Sequence, residues 1–391
     1  MTYLEDARAL YNEMVANRRH LHRNPELGFD LPKTVAFVKD KLTEYGLEPH
    51  DIGDHGITAL IGKPGGKTVL LRADMDALPI VEQSGLEFSS TNDYSHTCGH
   101  DMHTSILLAV AKLLKANEDQ LQGYVKFIFQ PAEELLIGGK AMLEAGILEN
   151  PKVDAAFGLH VAPNAPLQGI IYRPGPAMSS ALNFRIRIKG SGTHGAMPHL
   201  GIDPVYIGSQ VVNGLTAIPA RELGLDQNAA VTIGRFEGLG AMNIIPDEVV
   251  LEGTARTLSE NSRAYLRDRL PQLASSIVET YRGQAEFEFI ADCPVLHNNE
   301  DLTTKAVDIL KDKLPENLPI LPFSPQLASE DFAYYANQVP AFFFNLCNPY
   351  DPTANDLHPV HHPKVVFGED MMPIGVASFA YLATEWLAKH A

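Results

Sequence analysis

The chain has 391 residues, 45% of them hydrophobic and 20% charged, and a formal net charge of -17. This composition fits an ordinary soluble globular protein, but the length exceeds what one core sustains, so two domains are expected. The negative charge disfavours nucleic-acid and anionic-membrane partners, so an anionic substrate must meet a local positive centre such as a metal ion or an arginine.

No apolar run approaches the length of a membrane span, and the N-terminal stretch lacks the basic-then-apolar pattern of a secretory signal. Cys98, Cys293 and Cys347 are an odd number and far apart in sequence, which suits a reducing, cytoplasmic setting. Cys293 and Cys347 read as buried small hydrophobes.

Apolar spacing predicts a helix over Leu4–Leu21 and another from Thr34 to Leu42, stopping at Tyr45-Gly46. The short run Thr68-Val69-Leu70-Leu71-Arg72 predicts a buried strand that ends in Ala73-Asp74-Met75-Asp76. A helix over Ser105–Leu114, a strand over Tyr124–Phe129 and a strand over Ala155–Leu159 follow. This alternation predicts an α/β fold, a mostly parallel sheet with helices on both faces, in which functional groups gather at the carboxyl ends of strands. From Leu182 the texture changes, and Asn183–Lys189 alternates apolar and polar like a half-exposed antiparallel strand. A helix (204–218), strands (229–236 and 248–256), a helix (259–281) and a strand (285–290) complete the order of a ferredoxin-like α+β domain. After Cys293 the first pattern resumes, with helices near 302–310 and 372–387 and a strand over 341–346. The expected division is therefore a catalytic domain of residues 1–181 and 294–391, with 182–293 inserted as a lid or dimerisation domain.

Metal-type ligands cluster at strand ends and the loops after them. Cys98-Gly99-His100-Asp101-Met102-His103 crowds a thiol, two imidazoles and a carboxylate into six positions. Pro131-Ala132-Glu133-Glu134 sets two adjacent carboxylates after a strand, and Gly158-Leu159-His160 ends the next. His358, His361 and His362 add imidazoles near the C-terminus. Thiolate, imidazole and carboxylate together suit zinc, and manganese tolerates such a set with more oxygen and nitrogen. Neighbouring side chains of an extended segment point to opposite sides, so one glutamate can bind metal while the other accepts the proton of an activated water.

Taken singly, each feature has a plainer reading. A lone histidine at a strand end is usually a satisfied polar residue, an adjacent glutamate pair is usually solvated, and a lone cysteine is usually a buried thiol. His20 and His22 read as a polar helix end, His55, His297 and His390 as surface residues, and Met75, Met102 and Met197 as packing. Leu136, Ile137, Met178 and Phe332 are candidates for a substrate pocket or for core.

The residues together resemble a known family. Arg19-His20-Leu21-His22, Asn24-Pro25-Glu26-Leu27, Arg72-Ala73-Asp74-Met75-Asp76-Ala77-Leu78-Pro79, Cys98–His103, Gln130–Glu134 and His194-Gly195-Ala196-Met197-Pro198-His199 occur in the expected order. They resemble the amidohydrolases that include hippurate hydrolases, N-acetyl amino-acid deacetylases and indole-acetyl-amino-acid hydrolases. These form a branch of the aminoacylase and carboxypeptidase-G metallopeptidases. The resemblance runs to Glu369–Gly375, nearly the whole chain.

It implies two divalent ions per subunit, zinc or manganese, with cobalt or nickel also in the set, held by Cys98, His100, Glu134, His160 and His361. A His-x-Pro pattern selects His361 over its neighbours. Glu133 falls on the general acid/base and Asp76 on a carboxylate that orients the centre. His194 falls on an oxyanion stabiliser often supplied across a homodimer, and Asn243 and Arg256 fall on substrate-binding positions. Within the wider clan, Cys98 and His100 replace an aspartate-based bridging arrangement, which leaves the bridging ligand and preferred metal open.

The implied reaction is hydrolysis of the amide of a small N-acyl amino acid or short peptide, with domain closure at hinges near Ser180-Ala181 and Cys293-Pro294. The alternatives are an aminopeptidase or dipeptidase on the same site, and a catalytically silent metal protein.

Overall fold

The computed structural model describes residues 2–351 and 357–390, and the backbone opens with a departure from expectation. The first helical run is two helices, Tyr3–Ala9 and Tyr11–Arg23, separated at Leu10. The break lets the shorter helix lie against the C-terminal helix Met372–Lys389, where Tyr3 and Tyr381 pack with ring centroids 5.0 Å apart.

The chain divides into two units: Met1–Gly175 with His297–Ser324 and Asp331–Ala391, and Pro176–Leu296 with Pro325–Glu330. The first is built on an eight-stranded sheet. Its centre is the adjacent parallel set Gly123–Gln130, Lys67–Asp74, Ala155–Ala162 and Ala341–Cys347. Lys67–Asp74 is buried at every position after the first. That is the signature of a strand covered on both faces, and it explains the unbroken Val-Leu-Leu run. Antiparallel strands extend the sheet: Gly56–Gly62 beside Gly123–Gln130, and Gly169–Tyr172 beside Ala341–Cys347. The architecture is a mixed α/β fold with a large, mostly parallel sheet. The helix His100–Ala116 is buried along nearly its whole length, as an all-round apolar helix must be.

The second unit has a four-stranded antiparallel sheet in the order Ala229–Glu237, Glu248–Thr257, Ala181–Lys189, Gln284–Cys293. Ala181–Lys189 alternates buried and half-buried residues. Helices Pro204–Arg221 and Glu260–Thr280 supply the rest of its apolar core, through Ile207, Val211, Leu215, Leu266 and Leu270. Asp203 and Ser259 accept backbone N–H bonds as their N-caps. Arg185 pairs with Glu252 and Glu288 across the strands. Among the described residues, no helix is long and apolar enough to cross a membrane.

Candidate metal centre

The three adjacent parallel strands Gly123–Gln130, Lys67–Asp74 and Ala155–Ala162 deliver chemistry at one edge. Asp76 follows the middle strand and Glu133-Glu134 follow the first. His160 lies inside the third, two residues before its end rather than at it. Gly99 starts the buried helix in a left-handed conformation, φ 87°, and a Cβ there would sit 2.4 Å from Val161 Cγ2. Glycine is therefore required between Cys98 and His100.

Imidazole tautomers follow from the backbone. A carbonyl can only accept, so His100 Nδ1–H donates to Asp76 O at 2.8 Å, and His160 Nδ1–H to Val161 O at 2.7 Å. In the neutral form of both rings Nε2 keeps its lone pair, the arrangement a metal-ligating histidine takes. His103 differs. Its Nε2 accepts the Val161 N–H at 3.0 Å and its Nδ1 bonds Asp74 Oδ1 at 2.6 Å, so both nitrogens are engaged.

Cys98 Sγ lies 3.3 Å from both His160 Nε2 and His361 Nε2. Glu134 Oε2 is 3.5 Å from His361 Nε2, and Glu134 Oε1 is 3.8 Å from His100 Nε2. Glu133 Oε2 is 3.8 Å from the same His100 nitrogen. Such spacings match the ~3.3–3.8 Å edges of a tetrahedron around an ion with bonds of about 2.0–2.3 Å. His100 Nε2 and Glu134 Oε1 are buried without a hydrogen-bond partner. Among the described residues five sets of three could each hold an ion, and three of them are built from the expected ligands and Glu133: Cys98-His100-His160, Cys98-Glu134-His361 and His100-Glu133-Glu134. These three sets share Cys98, His100 and Glu134.

The electrostatics fit a cation. Burial works against a charged His100 ring, yet Asp74, then Asp76 and Glu134, hold its pKa up to about 10. Burial pushes the Cys98 thiol well above its usual range, reinforced by Glu134 and Glu133. Burial lifts Glu134 to about 7, with His100 opposing. Burial, with His103 and His100, holds His160 well below the usual imidazole range. A divalent ion bound here would relieve this frustration by stabilising the thiolate and carboxylate.

Asp76 positions the carboxylate pair through the backbone. Its two oxygens accept the N–H of Glu133 at 3.0 Å and of Glu134 at 3.1 Å. Ala132 and Leu136 bracket the pair at φ 56° and 58°, and His361 sits at φ 66°. Non-glycine residues held in the left-handed region cluster at functional sites. The His361 N–H bonds Thr97 O at 2.9 Å, while His358 and His362 stack on each other with centroids 4.0 Å apart.

The other candidate residues belong to the second unit. His194, exposed, pairs through its strand with Ile244, next to Asn243. Its Nδ1 accepts the Ala196 N–H at 3.1 Å, which leaves the proton on Nε2 of the neutral ring. Arg256 lies on Glu248–Thr257, half-buried, with Nη1 donating to Asn183 Oδ1 at 3.2 Å and to Thr254 Oγ1. Burial lowers its pKa, with Cys293 opposing.

Two buried networks escape sequence reasoning. His22 lies in the last turn of its helix, as expected, but it is not simply a helix end. It is buried with Nδ1 2.8 Å from Asp101 Oδ2 and Nε2 3.1 Å from Glu82 Oε1. Arg18, 1% exposed, donates to the same Asp101 oxygen. Behind the carboxylates, Arg72 joins Asp74 to Asp331. The available signal was a charge inside an apolar run, Leu70-Leu71-Arg72, which is tolerated only with partners. Met197 is exposed rather than packed. Phe332 is core, against Tyr335 and Phe343.

Comparison with known proteins places this arrangement. The model of peptidase family M20/M25/M40 matches residues 70–385. N-acetylcysteine deacetylase of Bacillus subtilis is 35% identical over 380 residues, covering 96% of this chain and 97% of that protein. Thermostable carboxypeptidase 2 of Saccharolobus solfataricus is 35% identical over 392 residues, covering 98% of each. Among solved structures, a dinuclear metal binding peptidase of the M20 family from Bacillus subtilis is similar with TM-score 0.80 and 32% identity, over 97% of this chain and 99% of that one. With the family model spanning most of the chain and relatives aligned along nearly all of it, this chain belongs to peptidase family M20/M25/M40 and is a metal-binding hydrolase.

Proposed function

We propose that this hydrolase cleaves the amide bond of a small N-acyl amino acid, releasing an amino acid with a free α-carboxylate. The observation that carries the reading is the adjacent pair Glu133-Glu134, clamped by Asp76 and set against Cys98, His100 and His361. The names of the relatives agree on the product side, because a deacetylase of N-acetylcysteine and a carboxypeptidase both release such an amino acid.

Cys98, His100, Glu134, His160 and His361 hold two divalent ions, zinc or manganese first, with cobalt and nickel as the other members of the set. Bound ions supply polarisation of the amide carbonyl and acidify a water. Glu133 takes the proton of the attacking water and returns it to the leaving amine. His194, neutral with its proton on Nε2, is assigned to the oxyanion as a donor. Asn243 and Arg256 hold the substrate carboxylate, since a guanidinium meets a carboxylate in bidentate fashion.

A panel of N-acetyl, N-benzoyl and N-succinyl amino acids with simple dipeptides tests the reaction in metal-loaded protein. Cleavage confined to free-amine dipeptides moves the assignment to an aminopeptidase or dipeptidase. Silence with every metal leaves a binding protein. On acylated substrates, Arg256→Met is expected to raise KM about 30- to 100-fold with a smaller change in kcat, the pattern of lost ground-state binding. An unchanged KM removes Arg256 from the substrate site.

The second unit is proposed as a lid and homodimerisation domain. Ala229–Glu237 is an edge strand, and Val205, Tyr206, Phe236, Leu239, Met242 and Ile244 are exposed large apolar residues of the same unit. Exposed edges and apolar side chains invite a second copy. Sedimentation equilibrium is expected to return twice the chain mass of 42.8 kDa, and a monomer at all concentrations rejects the dimer. A cytoplasmic location is proposed from the three free, buried cysteines. The net charge of -17 supports the absence of nucleic-acid and membrane partners.

A further inference from the structure

We propose that Arg72 is a positioning residue that ties the Glu133 side of the centre to the His160 side through one buried guanidinium. The inference rests on the amide-hydrolysis reading and adds to it a residue that touches neither substrate nor ion.

Arg72 is 1% exposed in the middle strand of the sheet. Its Nη2 donates to Asp331 Oδ1 at 2.8 Å and its Nε to Gln130 Oε1 at 3.1 Å. Asp331 is held further by Gln130 Nε2, at 2.7 and 2.9 Å from its two oxygens, and by the Gly139 N–H at 2.7 Å. With its side chain fixed in this way, Asp331 directs its backbone N–H to Glu133 Oε1 at 3.4 Å. This contact biases the orientation of the carboxylate proposed to carry the proton.

On the other side Arg72 Nη1 donates to Asp74 Oδ2 at 2.6 Å. Asp74 Oδ1 holds His103 Nδ1 at 2.6 Å, and His103 Nε2 receives the Val161 N–H at 3.0 Å. Val161 adjoins His160, whose Nε2 meets Cys98. One planar fork therefore spans both flanks of the site, with a geometry that lysine cannot copy.

A purely structural role requires only that the buried charges be paired. Both ends of the network terminate at the reaction site instead. The guanidinium also occupies Asp74 Oδ2, which lies 3.6 Å from His100 Nε2. Released from Arg72, that carboxylate becomes a competing ligand beside His100.

Metal-loaded Arg72→Lys, Asp331→Asn and the double variant test the proposal, read by kcat, KM, metal content and the absorption spectrum of the cobalt(II) form. Arg72→Lys is expected to keep wild-type metal content, to lose about 100-fold in kcat with KM within about threefold, and to shift the cobalt spectrum. Asp331→Asn, isosteric, should show a loss of the same kind, and the double variant should be no worse than Arg72→Lys, because a connected network fails as one unit. Turnover and cobalt spectrum both at wild-type values in Arg72→Lys overturn the proposal. So do losses that multiply in the double variant, or a loss accounted for by missing metal. Should Arg72→Lys not fold, Asp331→Asn decides by the same kcat and spectral criteria. A wild-type protein inert on every acylated substrate sinks the hydrolysis reading, and the cobalt spectrum of the variants then judges Arg72 on its own.

Discussion

Glu133→Gln is expected to cut kcat by about 10³-fold, about 4 kcal/mol of transition-state stabilisation, while metal content and KM stay near wild type. The substitution is close to isosteric, so the contacts that place the residue survive it. The Glu133 N–H still bonds Asp76 Oδ1, and an amide oxygen can accept the Asp331 N–H as Glu133 Oε1 does. What is lost is a base able to take a proton from water and return it to the amine. Glu134→Gln should behave differently. The Glu134 carboxylate converges with Cys98 and His361 in one candidate ion site, and its Oε1 is buried without a partner. An amide there weakens ion binding, and activity should fall together with metal content. Side-by-side metal analysis and steady-state kinetics separate the neighbours. A Glu133→Gln protein with full metal and near-normal turnover would falsify the proton-transfer role.

The difference between these neighbours was partly legible in the sequence, and the reasons are specific. Buried strands such as Lys67–Asp74 announce themselves because both faces are covered, so the chain spells an apolar run that ends in its functional carboxylates. The alternation in Asn183–Lys189 marked a different kind of sheet for an equally direct reason, since one face packs on helices. Short strands give no such signal. His50–Ile52, Gly169–Tyr172 and Ile320–Pro322 have three or four residues and pair through backbone groups alone, below the length at which periodicity means anything.

At the site, ligand-type residues were visible as clusters, but which nitrogen of which histidine is available was not. His100 and His103 stand three apart in one motif. Only the folded backbone, through Asp76 O on one and Val161 N–H on the other, separates a ring with a lone pair to offer from a ring that has none. The link from Arg72 to Asp331 was hidden for a related reason. Arg72 and Asp74, two apart on one strand, share a face that the strand pattern could have shown, but Asp331 is 259 positions away and no local pattern encodes that meeting.

Cys98→Ala is expected to lower bound metal to one ion or fewer per chain and to reduce kcat/KM by about 10³-fold or more, a larger defect than His361→Ala. The argument is geometric. Cys98 Sγ meets His160 Nε2 and His361 Nε2 at the same 3.3 Å. It also belongs both to the candidate set containing His160 and to the one containing Glu134 and His361. Removing it weakens both ion positions at once. His361 contributes to one set, and its side chain is 51% exposed, so water can replace it as a donor. Cys98→Ser sharpens the test, because an alcohol is a harder donor that does not ionise as a thiol does. If zinc is the resident ion, serine should bind it far more weakly than the thiolate does, whereas manganese, which accepts oxygen donors, should suffer less. The stability readout follows from linkage: an ion held at a concentration 1,000-fold above its Kd adds about 4 kcal/mol to the folded state. Chelation should therefore lower the Tm of the wild type substantially and that of Cys98→Ala hardly at all. Two ions retained by Cys98→Ala, with a wild-type response to chelator, would remove Cys98 from the ligand set.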